Sequence, residues 1–163
     1  MLKFLSLATF GRSLRLFRIV FGTIWLIDGL LEWQPADFNN FAQLVAAASD
    51  GQPAPLALLI RAGHAVIAVS PFFANGALAT VETLLGLALI TNRFTRPALW
   101  ISAVLAAGIW IFGEGFGMVF MPGATDIQAG PLYVLLSLML LQALQLTREA
   151  QRPAPVRIPA RIP

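Results

Sequence analysis

Cysteine is absent from the 163 residues, and histidine occurs once, at His64. Without thiols the chain alone has no disulfide, no thiolate metal site and no dithiol redox centre. With a single imidazole it has no bis-histidine haem within one subunit. Charge is also scarce. Asp, Glu, Lys and Arg make up 12% of the residues, against about 25% in an ordinary soluble domain. With 58% of the residues hydrophobic, the apolar surface cannot all be hidden in one small core, so lipid must cover part of it. The alternation of apolar and polar residues that a membrane β-barrel needs is missing. So is a GxGxxG phosphate loop.

What remains is long apolar blocks punctuated by proline and arginine. A helix needs roughly 20 residues to span the hydrocarbon layer, and its backbone must be satisfied internally there. The blocks predict four crossings, at about 16–34, 73–91, 97–114 and 130–147. Pro35 ends the first, because proline cannot continue helical hydrogen bonding, and Pro131 suits the first turn of the fourth. Between crossings one and two, residues 36–70 form an outer interfacial segment. FNNFAQLVAAA reads as a short amphipathic helix within it, and residues 56–69 as a second. The Ser70-Pro71 break favours two helices over 57–91, with one long kinked helix as the rival. The predicted fold is all-α, an integral membrane antiparallel four-helix bundle with short amphipathic outer helices between crossings one and two. Residues 1–15 read as a basic amphipathic cytoplasmic lead-in rather than a cleaved signal, since Arg12 and Arg15 interrupt the apolar run with no small-residue cleavage site. Residues 148–163 read as a disordered Arg/Pro-rich cytoplasmic tail near anionic lipid.

The charges segregate across this slab. Ten of the eleven Lys and Arg residues fall on one side: Lys3, Arg12, Arg15, Arg18, Arg93, Arg96, Arg148, Arg152, Arg157 and Arg161. Cationic loops stay in the cytoplasm, so both termini are expected there, in a bacterial-type inner membrane. The net charge of +3 therefore reports membrane anchoring, and no nucleic acid partner is expected. Arg61 alone lies on the outer side, and most acids lie on or near it.

Glu82 is the sharpest candidate for chemistry, in the middle of crossing two. At that depth a carboxyl is expected to be neutral or paired with a donor, because burial disfavours its charged form. Ala79 and Gly86 share its stripe, and small residues let another helix approach closely. Asp28 and Glu32 stand four residues apart on crossing one, with Trp25 on the same stripe, which suggests a polar interior rather than lipid contact. Glu114, in GEGFG, lies at the outer end of crossing three, one turn after Trp110. Asp126, in GATD, either lines a site or bonds its own turn. Arg61 and His64 lie three residues apart on the short outer helix. Arg61 is expected to pair with one of these acids, and His64 to relay protons. No metal-ligand spacing is present, and the tryptophans also suit interfacial belts.

RIVFGTIWLIDGLLEW resembles the opening helix of the DoxX/DoxD-like membrane proteins, through Arg18, Gly22 and Gly29. PFFANGALATVETLLGLALITNRFTRPA is similar to that family's second helix, with its acid, following glycine and basic turn. WIFGEGFG…GATD…GPLY reads as a subgroup feature. The resemblance implies a four-helix membrane subunit over about 15–147, some relatives of which oxidise thiosulfate with quinone reduction or associate with redox-protective partners. The chain departs from members that use cysteines, so no sulfur relay runs through a protein thiol here.

These observations together lead to the expectation of a redox-linked membrane subunit. It would hold a quinone or similar apolar ligand in a cavity open to the outer face. Glu82, Asp28 and His64 would be the proton-handling residues; Arg61, Glu32, Glu114, Asp126, Trp25 and Trp110 would bind. No redox cofactor is expected to be built in, so electrons would come from the substrate or from a partner subunit on the outer face. A homo-oligomer is compatible with this. The alternative is a non-catalytic assembly subunit of a larger membrane complex, in which the acids join helices and the outer loops dock a partner.

Overall fold

Proline sets most of the helix boundaries in this chain. In the computed structural model, which describes residues 7–151 and side chains from residue 10 onward, six α-helices follow one another: α1 (Leu7–Glu32), α2 (Pro35–Ala47), α3 (Ala54–Ile67), α4 (Pro71–Thr91), α5 (Thr95–Phe112) and α6 (Gly130–Ala150). A 3-10 turn, Gly115–Met118, lies between α5 and α6. Helices α2, α3, α4 and α6 each carry proline in their first turn, where a missing N–H costs nothing. Ser70, before Pro71, is pushed out of the helical region at φ −157° and ψ 82°, as the residue preceding proline is. Residues 57–91 are accordingly two helices. No strand occurs among the described residues.

Helix α4 ends at Asn92 in the left-handed conformation, φ 60°, a backbone asparagine tolerates better than most residues. The expected lead-in and crossing one are one element, because α1 runs unbroken from Leu7 through Arg12, Arg15 and Arg18. Arginine costs little helical propensity, and of the three Arg12 and Arg15 are exposed while Arg18 is buried. The expected tail also begins later, since residues 148–150 close the last turn of α6, where the Gln145 side-chain amide donates to Glu149 at 3.1 Å. Residues 152–163 lie outside the described residues, as do 1–6.

Helices α4, α5 and α6 are each long and apolar enough to cross a membrane. Helix α1 is longer, 26 residues, but carries five charges. It packs along α4, and α5 packs along α6. Contacts of α4 with α5 and of α1 with α6 join the two pairs, while α2 rests on α4 and α3 touches α2 and α5. The core lies among the four long helices, around Phe21, Trp25, Leu89, Leu99, Ala106 and Leu140.

The α1–α4 contact is backbone against backbone. A Cβ added at Gly29 would lie 2.5 Å from the Thr83 amide nitrogen, and one at Gly86 would lie 2.6 Å from that of Leu26. Between apolar helices in lipid no hydrophobic force favours association, so close van der Waals approach through small residues supplies it. Arg18 fastens the end of this pair. Its side chain is buried and donates from Nη1 to the Leu89 carbonyl, and to that of Ile90 at 3.3 Å. It thus adds a donor at the last turn of α4, where carbonyls lack their usual helical partners, a structural task beyond the anchoring that its place among the basic residues suggests.

Candidate functional site

Three helices fix the position of Asp28. Its neighbour on the α1 stripe, Trp25, is buried and donates its indole N–H to Ser102 Oγ on α5 at 2.8 Å. Ser102 Oγ lies 2.7 Å from Ser137 Oγ on α6, and Ser137 donates to the Tyr133 carbonyl at 2.8 Å. Because Ser137 has one proton and gives it to that carbonyl, Ser102 is the donor of the pair. The chain of bonds runs one way: Trp25, Ser102, Ser137, Tyr133. The Tyr133 hydroxyl then donates to Asp28 Oδ2 at 2.7 Å, and its ring meets Trp25 edge-on, centroids 5.0 Å apart. Sequence reasoning did not single out Tyr133, Ser102 or Ser137. The available signal was hydroxyls inside apolar helices, which are costly to leave unpaired.

Glu82 is 3% exposed, and its Oε2 has no hydrogen-bond partner among the described residues. Glu32, one turn after Asp28, is held through its backbone: Asn75, fully buried on α4, donates Nδ2 to the Glu32 carbonyl at 2.9 Å. Glu114 caps α6, accepting the Gly130 amide at Oε2 over 3.1 Å. A carboxylate at a helix N-terminus satisfies a free N–H and opposes the helix dipole. Trp110 pins the connecting loop by donating Nε1 to the Ile127 carbonyl at 3.0 Å, and Phe116 packs edge-on against its ring.

These residues surround two adjoining cavities. The first, of about 280 Å³, is lined by Trp25, Asp28, Glu32, Glu82, Glu114 and Tyr133 among others. The second, of about 580 Å³, is walled by Phe41, Val45, Leu78, Val81, Leu105 and Phe112. Glu32, Ile109 and Glu114 belong to both. Among the described residues, neither cavity is lined by a Lys, Arg or His. Chemically, the first recess offers carboxyl and phenol groups that accept or donate hydrogen bonds and pass protons. The second offers an apolar chamber beside them.

The structure therefore brings together Trp25, Asp28, Glu32, Glu82 and Glu114, from α1, α4 and the end of α5. It leaves out Arg61, His64, Asp126 and Trp110. Arg61 is exposed on α3, lines neither cavity and forms no ion pair among the described residues. The expected neutralisation of the acids by Arg61 is absent, because α3 turns Ala57 and Ile60 inward and leaves Arg61 outside. His64, half-buried on the same helix, also lines neither cavity. Asp126 is exposed and accepts the Gln128 amide at 2.8 Å, the turn-bonding arrangement. It lines a small loop cavity with Met118 and Met121. Trp110 supports Gly130 and the loop rather than the recess.

In comparisons with protein-family models, curated proteins and solved structures, nothing matches the chain.

Proposed function

We propose that this chain is a DoxX/DoxD-like, redox-linked membrane protein that binds a quinone or similar apolar ligand across the two adjoining cavities. One observation carries the reading. A buried carboxyl, Glu82, has an unpartnered Oε2 in a recess that opens beside an apolar chamber twice its size. An isolated buried polar atom costs several kcal/mol or less depending on its surroundings, unless a partner reaches it. The pair of cavities fits a molecule with a polar ring and an apolar body. Glu82 and Asp28 would meet the polar oxygens, Glu32 and Glu114 would stand at the junction, and Val81, Leu105 and Phe112 would hold the apolar part. A quinone supplies reversible uptake of protons with electrons. The protein's own contribution is to orient the ring and hold protons at Glu82 and Asp28.

In this reading α1 is the fourth crossing of an antiparallel four-helix bundle. Its 26 residues extend about 39 Å at 1.5 Å per residue. Leu16, Phe17, Val20, Ile27, Leu30 and Leu31 are exposed along it, while Arg18, Asp28 and Glu32 face α4 or the recess. Between these residues the lipid-facing side is therefore apolar, and the two exposed charges of α1, Arg12 and Arg15, lie toward its N-terminal end. Arg93 in the α4–α5 turn, Arg96 in the first turn of α5 and Arg148 at the end of α6 share the basic end with Arg12 and Arg15, which supports cytoplasmic termini in an inner membrane.

The test is binding of a short-chain quinone to the detergent-purified protein, read by quenching of tryptophan fluorescence, since Trp25 lines the recess. Saturable quenching that weakens in Glu82→Gln, with thermal stability retained, is expected. Quenching that does not saturate, or that Glu82→Gln leaves unchanged, would remove Glu82 and the quinone from the reading.

A further inference from the structure

The opposite end of the helix assembly has a cavity with reversed chemistry. It has a volume of about 380 Å³ and is bounded by α1, α4, α5 and α6. Arg15 and Arg18 line it from α1, with Thr91, Asn92 and Thr147 adding hydroxyl and amide groups. Leu14, Leu140 and Leu144 provide its apolar wall. No Asp or Glu among the described residues lines it.

The two arginines differ in what they already hold. Arg18 is buried and its guanidinium donates to the last carbonyls of α4. That contact offsets the partial negative charge of the α4 C-terminus, which would otherwise repel an anion. Arg15, one turn earlier, is exposed and forms no ion pair or hydrogen bond among the described residues. A guanidinium with free donors, beside hydroxyls and above a leucine wall, matches an oxyanion that carries an apolar body. Arginine suits such a group because its planar fork bonds phosphate oxygens in pairs.

We propose that this cavity binds the phosphate of an anionic phospholipid, with Arg15 as the direct contact and the start of an acyl chain against Leu14, Leu140 and Leu144. Basic pockets between membrane helices hold anionic headgroups in this way. The shared chemistry is a phosphate oxyanion, for which a lipid headgroup and free phosphate are the two sources, and the leucine wall favours the lipid. The inference rests on the membrane-capable helices and is independent of any ligand in the acidic recess.

Native mass spectrometry of the detergent-purified chain with added phosphatidylglycerol or phosphatidylcholine tests it. One phosphatidylglycerol is expected to stay bound preferentially. Arg15→Gln should weaken it about tenfold, the scale of one charge-assisted contact, and Leu144→Trp should exclude it by filling the wall. Arg96→Gln, at the same basic end but outside the cavity, should leave binding unchanged. Arg15 has no partner among the described residues to lose, so Arg15→Gln does not threaten folding. Equal binding of the two lipids, equal losses in Arg15→Gln and Arg96→Gln, or displacement by millimolar inorganic phosphate would each overturn the lipid site.

Discussion

The Tyr133 hydroxyl donates to Asp28 Oδ2 at 2.7 Å, joining residues 105 positions apart in sequence. This bond ties α6 to α1 at the wall of the acidic recess and orients the Asp28 carboxyl there. Tyr133→Phe keeps the ring and its edge contact with Trp25 but removes the donor. A loss of about 1 kcal/mol is expected, the usual scale for interhelical hydrogen bonds in membranes. Chemical or thermal unfolding in detergent measures it, and wild-type stability in the variant would show that the bond contributes nothing.

The direction of the Trp25–Ser102–Ser137 chain gives a rank order. Ser102→Ala leaves the buried Trp25 N–H without an acceptor and should cost about 1–3 kcal/mol. Ser137→Ala should cost less, because Ser102 keeps the indole and its freed proton can rotate to the carbonyl one turn back. Unfolding midpoints of the two variants should fall in that order. The reverse order would mean that Ser137 rather than Ser102 donates in the hydroxyl pair, the one link that can turn round, since an indole N–H only donates.

Glycines on different faces should respond in opposite senses. Gly29→Ala and Gly86→Ala place a Cβ within 2.6 Å of neighbouring backbone, which cannot rotate away, so a loss of about 1–3 kcal/mol is expected. Gly108→Ala on α5 meets nothing within 4 Å and should be neutral, or stabilising by up to about 1 kcal/mol through helix propensity. Yields of folded protein and unfolding midpoints distinguish the two classes.

Arg18→Leu should destabilise more than Arg15→Leu. Only Arg18 is buried against α4 carbonyls, and a hydrogen bond to a charged group contributes about 1.5–3 kcal/mol. Similar unfolding midpoints for the two would mean that Arg18 does no more than the exposed Arg15.

A reporter fused after Pro163 should be active only when cytoplasmic reporters are, if the proposed orientation, with the basic ends of the helices inside, is correct. Activity of a periplasmic reporter at that position would invert the orientation and place the acidic recess on the cytoplasmic side.

Several elements were legible in the sequence because their causes are local. Pro35 was legible as the end of the first helix and Pro131 as the first turn of the last, each by its own geometry, and residues 57–91 divide where Ser70 meets Pro71. The prediction that Ala79 and Gly86 would admit a neighbouring helix also needed only side-chain size, and α1 fills that place. The pairing of Arg61 was inferred from its charge and its side of the slab, and it failed. Which face α3 turns inward depends on α2 and α5, and the periodicity of α3 alone does not specify them.

The sequence by itself determined that the chain is helical, because backbone satisfaction and transfer energy depend on each segment alone; of the four crossings it predicted, those at α4, α5 and α6 are helices apolar and long enough to cross a membrane. It also marked the acids as exceptional, since a carboxyl in an apolar run is costly anywhere along the chain. Only the tertiary structure decided which of them meet. Asp28, Glu32, Glu82 and Glu114 share one recess with Tyr133, whereas Asp126 is satisfied by its own turn. That outcome depends on glycine-mediated approach of α1 to α4 and on hydrogen bonds across α5 and α6, which form between segments far apart in the chain.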